Sequence, residues 1–203
     1  MKTLKKIALA GILPAIIVAI LLLSNTSSGE ADEISSGTYP PPPTEEWLTY
    51  TDERFDFQVK HPDDWYVEVS PLSIDGSGSV TISNYSALSL IPKAGLPENY
   101  FRISIVALTG EPLVMGESLT DWRNSRIGFD SNAIKEEEII SIAGTNALFQ
   151  LEEHPSGIES LILFVPYSNK TYGEFVFIIL SPVNANLTSE LFWEFAQTFK
   201  FTK

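Results

Sequence analysis

Two stretches late in the chain, residues 158 to 165 and 172 to 180, are apolar on both faces of an extended strand. Their sequences are IESLILFV and YGEFVFIIL. Successive side chains of a strand point to opposite faces, so Phe177 and Ile178 lie on opposite sides of the second strand. Strands that are apolar on both faces are typical of the interior of a sheet that is covered on both sides. The chain therefore needs further structure on each face of one sheet.

Earlier segments also have the composition and alternation of strands. In Tyr100 to Leu108, apolar residues alternate with polar ones, so one face is buried and the other is wet. Val80 to Asn84 is a shorter strand, and Glu136 to Ala143 and Asn146 to Glu153 flank a tight turn at Gly144. Neighbours that are joined by such short turns pair antiparallel.

Two segments change to helical spacing. In GESLTDWRNSRIG, Ser118 and Asp121 have the spacing of a capping box, and Gly128 can end the helix. In NLTSELFWEFAQTFKF, Thr188 or Ser189 can begin a helix whose apolar residues form one broad stripe. The stripe consists of Leu191, Phe192, Phe195, Ala196 and Phe199. This later helix is expected to cover one face of the sheet, and the earlier helix, together with loops, the other.

The stretch FDFQVKHPDDWYVEV, residues 55 to 69, predicts the corner of a β-hairpin. The side chains expected to face the core are Phe55, Phe57 and Val59 in the first strand and Trp65, Val67 and Val69 in the second. Pro62 lacks an amide donor, and Asp63 and Asp64 readily form turns. The two strands are therefore expected to place their apolar side chains in one core, with Pro62 and the aspartates shaping the turn.

Together these elements predict an α+β fold, in which a mainly antiparallel β-sheet is covered by helices on both faces. Strands outnumber helices, and the sequence shows no internal repeat. The residues expected to define the core are Phe55, Phe57, Trp65, Phe195 and Phe199.

The first 23 residues predict export from the cytoplasm. A lysine-rich head precedes an uncharged apolar run from Ile7 to Leu23. This run is at the lower limit for crossing a bilayer and slightly long for the core of a signal peptide. Lysines before the run orient the rest of the chain away from the cytoplasm. A cleaved signal peptide and a retained N-terminal membrane anchor both fit, because no clean Ala-x-Ala cleavage site follows the run.

Residues 24 to 46 predict a linker that is rich in Ser, Pro and acidic residues, and residues 47 to 203 predict one domain. Pro40 to Pro43 favour an extended spacer, either a stalk on the membrane or a tail behind a cleaved signal. Four Asn-x-Ser/Thr sequences are candidates for glycosylation if the source organism modifies exported proteins. They begin at Asn25, Asn84, Asn169 and Asn186.

Composition and missing motifs exclude several functional classes. The chain has no cysteine, which excludes disulfides, thiol catalysis, thiolate-zinc sites and a lipid-modified cysteine. Its net charge of -13 repels phosphate backbones, so no nucleic-acid partner is expected. The sequence contains no Gly-x-Ser-x-Gly elbow, His-Glu-x-x-His helix, phosphate loop or Gly-x-Gly-x-x-Gly fingerprint. No catalytic, cofactor-binding or metal-binding residues are therefore predicted.

Histidines and acidic pairs are the remaining candidates for chemistry. His61 and His154 each precede a proline and are expected to be exposed turn residues. The acidic groups are Asp63 with Asp64, Glu136 with Glu137 and Glu138, and Glu152 with Glu153. None has the loop spacing of an EF-hand, and adjacent acids in a strand point to opposite faces. Solvated surface charge is the favoured interpretation, and calcium binding is the alternative.

Three motifs, in this order, resemble one known family. They are YTDERFDFQVKHPDDW, SIAGTNALFQLE and FWEFAQTFKF. They are similar to the PsbP-related exported proteins of prokaryotes, which share the Mog1/PsbP-like α/β/α sandwich, and the similarity covers about residues 48 to 203. The resemblance implies a compact module that binds another protein, and a final Thr-Phe-Lys-Phe strand after the last helix. Photosynthetic members of the family bind photosystem II and help to retain calcium and chloride, but no metal-binding motif of theirs can be placed on this chain.

Three functions follow as hypotheses. The first is a non-catalytic module outside the cytoplasm, tethered to the membrane or secreted, that binds an envelope protein. The second is a carrier or sensor of a small apolar ligand, with a pocket between the sheet and the loops SPLSIDGSGS or LIPKAGLPENY. The third is a hydrolase with two carboxylates facing one cleft, within about 5 to 10 Å of each other.

We expect millimolar calcium to leave the melting temperature unchanged, because the acidic pairs do not surround a common point. A cation that binds only the folded chain raises the melting temperature as its concentration passes the dissociation constant. Thermal unfolding followed by circular dichroism checks this, with magnesium at equal ionic strength as the control. A saturable rise that is specific to calcium would establish a calcium site.

Overall fold

The computed structural model describes part of the chain, namely residues 44–86, 100–127, 133–153, 155, 157–183 and 189–203. The predicted export segment and most of the predicted linker lie outside these residues. Within the described ranges, no helix is both long and apolar enough to cross a membrane.

The described elements are mainly strands. They are β1 (Leu48–Asp52), β2 (Phe57–His61), β3 (Tyr66–Val69), β4 (Gly78–Ser83), β5 (Arg102–Leu108), β6 (Ile134–Ile142), β7 (Thr145–Glu153), β8 (Glu159–Asn169), β9 (Gly173–Val183) and β10 (Lys200–Phe201). The helices are a 3-10 helix (Thr44–Glu46), α1 (Leu119–Arg126) and α2 (Ser189–Thr198).

Seven strands form one sheet in the order β3-β4-β5-β9-β8-β7-β6. Every neighbouring pair in this sheet is antiparallel, which confirms the predicted mainly antiparallel sheet. The longest pairing joins β8 and β9, where Phe164 lies opposite Ile178. Both strands are interior and buried on both faces, as their sequences predict.

One face of this sheet carries the larger core. Side chains from β5, β8 and β9 pack there against α2 and against a second sheet of three strands, in the order β1-β2-β10. Phe177 from β9 lies 5.4 Å from Phe57 of β2 and 5.5 Å from Phe199, measured between ring centroids. The core residues expected from the sequence all lie in this cluster; they are Phe55, Phe57, Trp65, Phe195 and Phe199.

The opposite face carries a smaller apolar cluster, to which Val176, Ile178 and Leu180 of β9 contribute. Trp122 of α1 is fully buried in this cluster, and its ring centroid lies 6.2 Å from that of Phe164. Its indole Nε1 donates a hydrogen bond to the carbonyl of Glu111 at 2.9 Å, so the polar edge of the ring is also satisfied.

Helix α1 begins as its sequence predicts. Ser118 is the N-cap: its Oγ accepts a hydrogen bond from the amide of Asp121 at 3.0 Å and donates one to the Asp121 carboxylate at 2.7 Å. This N-cap satisfies an amide that has no partner within the helix, but the Asp121 carboxylate binds the Ser118 hydroxyl and not its amide, so the reciprocal bond of a capping box is not formed. The predicted stop at Gly128 lies outside the described residues.

The predicted hairpin at residues 55 to 69 is wrong. Strand β2 pairs with β1 and β10, whereas β3 pairs with β4 in the other sheet. A turn closed by the amide of Trp65 and the carbonyl of Pro62 carries the chain from one sheet to the other. Because the two sheets face each other, Phe57 and Trp65 still enter one core. Val69, which was expected to face inward, is half exposed, because β3 is short and lies at the sheet edge.

The connection between β8 and β9 is shorter than expected. The sequence PYSNK was predicted to be a loop, but Pro166 to Asn169 belong to β8, and Asn169 pairs with Gly173. Tyr167 extends the aromatic core at this point, because its ring stacks on Phe201 of β10 with centroids 4.0 Å apart.

We expect removal of residues 199 to 203 to abolish cooperative unfolding. The deletion takes away β10 and the buried ring of Phe199, which is stacked on Phe57. Loss of one such aromatic side chain costs about 3 to 5 kcal/mol, a large part of the stability of an ordinary domain. Thermal and urea unfolding measure the effect. A chain that lacks only Lys203, an exposed residue paired with Asp56, is the control and should unfold almost as the intact chain does. A normal transition in the longer deletion would contradict this role of β10.

Candidate functional site

A buried polar cluster lies between α1 and the strands β6 and β7. Gln150 and Glu152 are two residues apart on β7, so they share a face with Leu148, which belongs to the smaller apolar cluster. Glu137 of β6 lies opposite Gln150. Arg123 of α1 reaches the same group of side chains, so three elements contribute to it.

Glu137 is the shared acceptor of this cluster. Its Oε2 accepts a hydrogen bond from Nη1 of Arg123 at 2.5 Å and another from Nε2 of Gln150 at 2.6 Å. The Arg123 guanidinium is almost fully buried and also donates to Oδ1 of Asn124. A buried cation is stable only when it is paired in this way, so the cluster fixes α1 on the sheet.

Glu152 is the chemically unusual member of the cluster. Only 2% of the residue is exposed, and burial raises the pKa of its carboxyl to about 7, although the charge of Arg123 partly opposes this. Oε1 of Glu152 and Oε1 of Gln150 are buried acceptors that have no hydrogen-bond partner among the described residues. A carboxyl that titrates near neutrality can exchange protons. Its burial separates this carboxyl from the solvent.

His61 is not the exposed turn residue that was expected. It is 8% exposed, and its Nδ1 lies 2.7 Å from the carbonyl oxygen of Pro62. The reason is the alternation of β2: Phe57, Val59 and His61 share the inward face. His154 lies outside the described residues.

Of the acidic groups, the same alternation separates only Glu152 from Glu153. Asp63 and Asp64 are exposed, as are Glu136 to Glu138. Glu153 is exposed and contacts Lys135 at 2.7 Å, whereas Glu152 is buried, so the prediction that Glu152 is a surface charge is wrong. Across the described ranges, no group of three or more His, Cys, Asp or Glu could hold a metal ion.

Two glycosylation candidates are described. The side chain of Asn84 is fully buried, and its Oδ1 accepts a hydrogen bond from the amide of Phe101 at 2.7 Å, so a glycan has no room there in the folded chain. Asn169 is partly buried: its Nδ2 donates to Asp56 at 3.2 Å, and its Oδ1 accepts from the amides of Thr171 and Tyr172. Asn25 and Asn186 lie outside the described residues.

Three connections meet at one end of the seven-stranded sheet, which we call the loop end. They are residues 70–77 between β3 and β4, residues 109–118 after β5, and residues 170–172 between β8 and β9. Thr109 joins the first two, because its hydroxyl donates to the carbonyl of Asp75 at 3.0 Å. A hydrogen bond from Ser73 lowers the pKa of the Asp75 carboxyl, so the loop end keeps a negative charge.

The loop end exposes apolar side chains that no sequence motif indicated. Ile74, at the tip of the first connection, is fully exposed, and Leu72 beside it is 45% exposed. Val114 and Met115 in the second connection are 57% and 93% exposed. Exposed apolar residues indicate a contact surface where they form one contiguous patch.

A cavity of about 180 Å³ lies on the three-stranded sheet near the end of α2. The described residues of its lining are mainly polar and include no carboxylate; they are Thr44, Thr49, Gln58, Val59, Lys60, Gln197, Thr198 and Lys200. A polar lining does not suit the small apolar ligand considered above. Of the two loops that were expected to frame an apolar pocket, the second lies mostly outside the described residues.

Comparison with known proteins gives similarity in fold. No protein-family model and no curated protein sequence matches the chain. It is similar to the solution structure of cyanobacterial PsbP from Synechocystis sp. PCC 6803, with a TM-score of 0.46 and 14% identity over 87% of this chain and 98% of that one. It is also similar to the Ran-binding protein Mog1p of Saccharomyces cerevisiae, with a TM-score of 0.42 and 11% identity over 77% of this chain and 96% of that one. These are the two groups that its motifs resemble, but similarity at this level says nothing about activity or partner.

We expect Glu152→Gln to flatten the pH dependence of stability between about pH 4.5 and 7. The folded chain holds a proton on Glu152 up to a pKa of about 7, whereas the unfolded chain releases it near 4.5. The folded state therefore binds more protons in this window, and the free energy of unfolding falls as the pH rises. One proton limits the slope to about 1.4 kcal/mol per pH unit.

Urea unfolding at several pH values tests this expectation. Glu138→Gln, which removes an exposed carboxyl from the neighbouring strand, is the matched control and should keep the slope of the wild-type chain. Equal slopes in the wild-type chain and Glu152→Gln would show that Glu152 is ionised in the fold.

Proposed function

We propose that this chain is a non-catalytic module outside the cytoplasm that binds another protein of the cell envelope through its loop end. The N-terminal segment either tethers it to the membrane or is cleaved after export. The α/β/α arrangement belongs to the same proposal, with α2 on one face of the sheet and α1, through Trp122, on the other. The observation that carries the proposal is the set of exposed apolar side chains at the loop end.

The negative charge of the chain favours a protein, and not a nucleic acid or an anionic membrane, as the partner that binds the loop end. The chain carries a net charge of -13, and Asp75 adds negative charge beside Ile74. Phosphate backbones and anionic headgroups are repelled by such a surface. A partner that offers an apolar patch with basic residues around it is complementary to this surface.

The direction in which the loop end points supports a protein partner as well. The linker enters the domain at Trp47, whose ring lies 5.8 Å from Phe195, and Phe195 lies 6.4 Å from Phe101. Phe101 immediately precedes β5, whereas the loop end follows Leu108 at the other end of that strand, about 20 Å away. A domain that is tethered through its linker therefore directs the loop end away from the membrane.

We expect Ile74→Asp to weaken partner binding at least tenfold, the effect of placing a charge at the centre of an apolar interface. The full-length chain in mild detergent is used to capture proteins from envelope extract of its own source, with quantification by mass spectrometry. Ile158→Asp is the matched control, because Ile158 is 51% exposed and precedes β8 at the opposite end of the sheet.

The supporting result is one protein that the wild-type chain and Ile158→Asp recover and that Ile74→Asp loses, followed by binding of the purified pair. Equal recovery by both variants would place the binding surface elsewhere. Binding of the purified wild-type chain and Ile158→Asp to neutral lipid vesicles, with loss in Ile74→Asp, would identify the loop end as a membrane contact and overturn the proposal.

A further inference from the structure

Most cations of the described chain are already neutralised by a carboxylate. Arg54, Arg123, Arg126, Lys135 and Lys203 each form an ion pair. In an acidic protein this is the ordinary situation, since carboxylates outnumber ammonium and guanidinium groups. Cations that face a common space without a carboxylate are therefore exceptional.

Lys60 and Lys200 are two such cations, and both line the cavity on the three-stranded sheet. Neither forms an ion pair within the described residues. The one contact that Nζ of Lys60 makes there is with the carbonyl of Thr44, at a distance of 3.4 Å. The cavity lining thus has two positive charges and no negative one.

Strand register brings the two lysines together. Lys200 of β10 lies opposite Gln58 of β2, and Lys60 is two residues further along β2 on the same face. The two lysines are therefore diagonal neighbours, with Cα atoms about 7 to 8 Å apart. Like charges at this spacing repel each other, and an anion between them would remove the repulsion.

Neutral donors complete the lining. Gln58 and Gln197, whose side-chain amides are neutral hydrogen-bond donors, also line the cavity. The hydroxyl of Thr198 forms its hydrogen bonds within the protein: it accepts one from the amide of Lys60 at 3.0 Å and donates one to the carbonyl of Phe195 at 2.8 Å. This pair of hydrogen bonds holds the end of α2 against β2 and so fixes the wall of the cavity.

We infer that this cavity binds a small divalent oxyanion, such as phosphate, sulfate or a short dicarboxylate, between Lys60 and Lys200. Two ammonium groups neutralise its charge, and the amides of Gln58 and Gln197 supply hydrogen bonds to its oxygens. The inference is independent of the proposed partner surface, because the cavity includes Thr44 at the entry of the linker and lies away from Ile74.

Titration of the isotope-labelled full-length chain in non-ionic detergent tests the inference. Inorganic phosphate, sulfate and malonate are added separately, and the backbone amide signals of Lys60 and Lys200 are followed by nuclear magnetic resonance. Sodium chloride at equal ionic strength is the control for screening. We expect saturable shifts at these amides with the divalent anions and none with chloride. The comparison of phosphate with malonate shows whether the site prefers a tetrahedral or a carboxylate oxyanion.

Lysine variants provide the matched controls. Lys60→Gln and Lys200→Gln should each raise the dissociation constant for phosphate at least fivefold, whereas Lys60→Arg should retain binding because it keeps the charge. Lys170→Gln removes an exposed lysine from the β8–β9 turn and should leave the dissociation constant unchanged. Equal weakening in Lys170→Gln, or the same shifts with chloride, would show screening without a site and overturn the inference, as would the absence of any shift.

Discussion

The pairing of β8 with β9 is the interaction on which the rest of this structure depends. Eleven residues of each strand form one ladder, and both strands bury their side chains on the two faces of the sheet. Because exposure of apolar surface to water is unfavourable, a ladder that is apolar on both faces is stable only when other elements pack on each face. The larger cover comes from α2 and the three-stranded sheet, and the smaller one includes Trp122 of α1.

The two faces differ in how they are stabilised. Aromatic contacts between Phe57, Phe177 and Phe199 dominate the larger core, and its charged neighbour Asp52 is buried and paired with Arg54. On the other face, apolar packing around Trp122 gives way toward β6 to the polar cluster of Arg123 and Glu152. A face that is partly polar needs every donor and acceptor satisfied, and Glu152 meets this need only in part. The second face is therefore the more sensitive to pH.

Sequence patterns predicted the features that depend on burial of whole faces and missed those that depend on pairing between distant strands. The two-sided burial of Phe177 and Ile178 follows directly from alternation. The partner of β2 does not, because β1 has an exposed Leu48 and a buried Asp52, the reverse of a simple amphipathic strand. Alternation likewise places Glu152 on one face of β7 but cannot tell whether another element covers that face. The exposed Ile74 carries no motif at all and could be identified only from the folded loop.

Strand β2 lies between β1 and β10, and this position affects when the three-stranded sheet can form. Its neighbours come from the beginning and the end of the domain, and the bond between the amide of Lys60 and the hydroxyl of Thr198 joins residues 138 positions apart. Such contacts close only after nearly all of the chain is available, and pairings this distant in sequence form slowly. The three-stranded sheet therefore stays incomplete until β10, near the end of the domain, has been synthesised. The same arrangement places the first and last strands of the domain on either side of β2, so this one strand holds both ends of the domain in the same sheet.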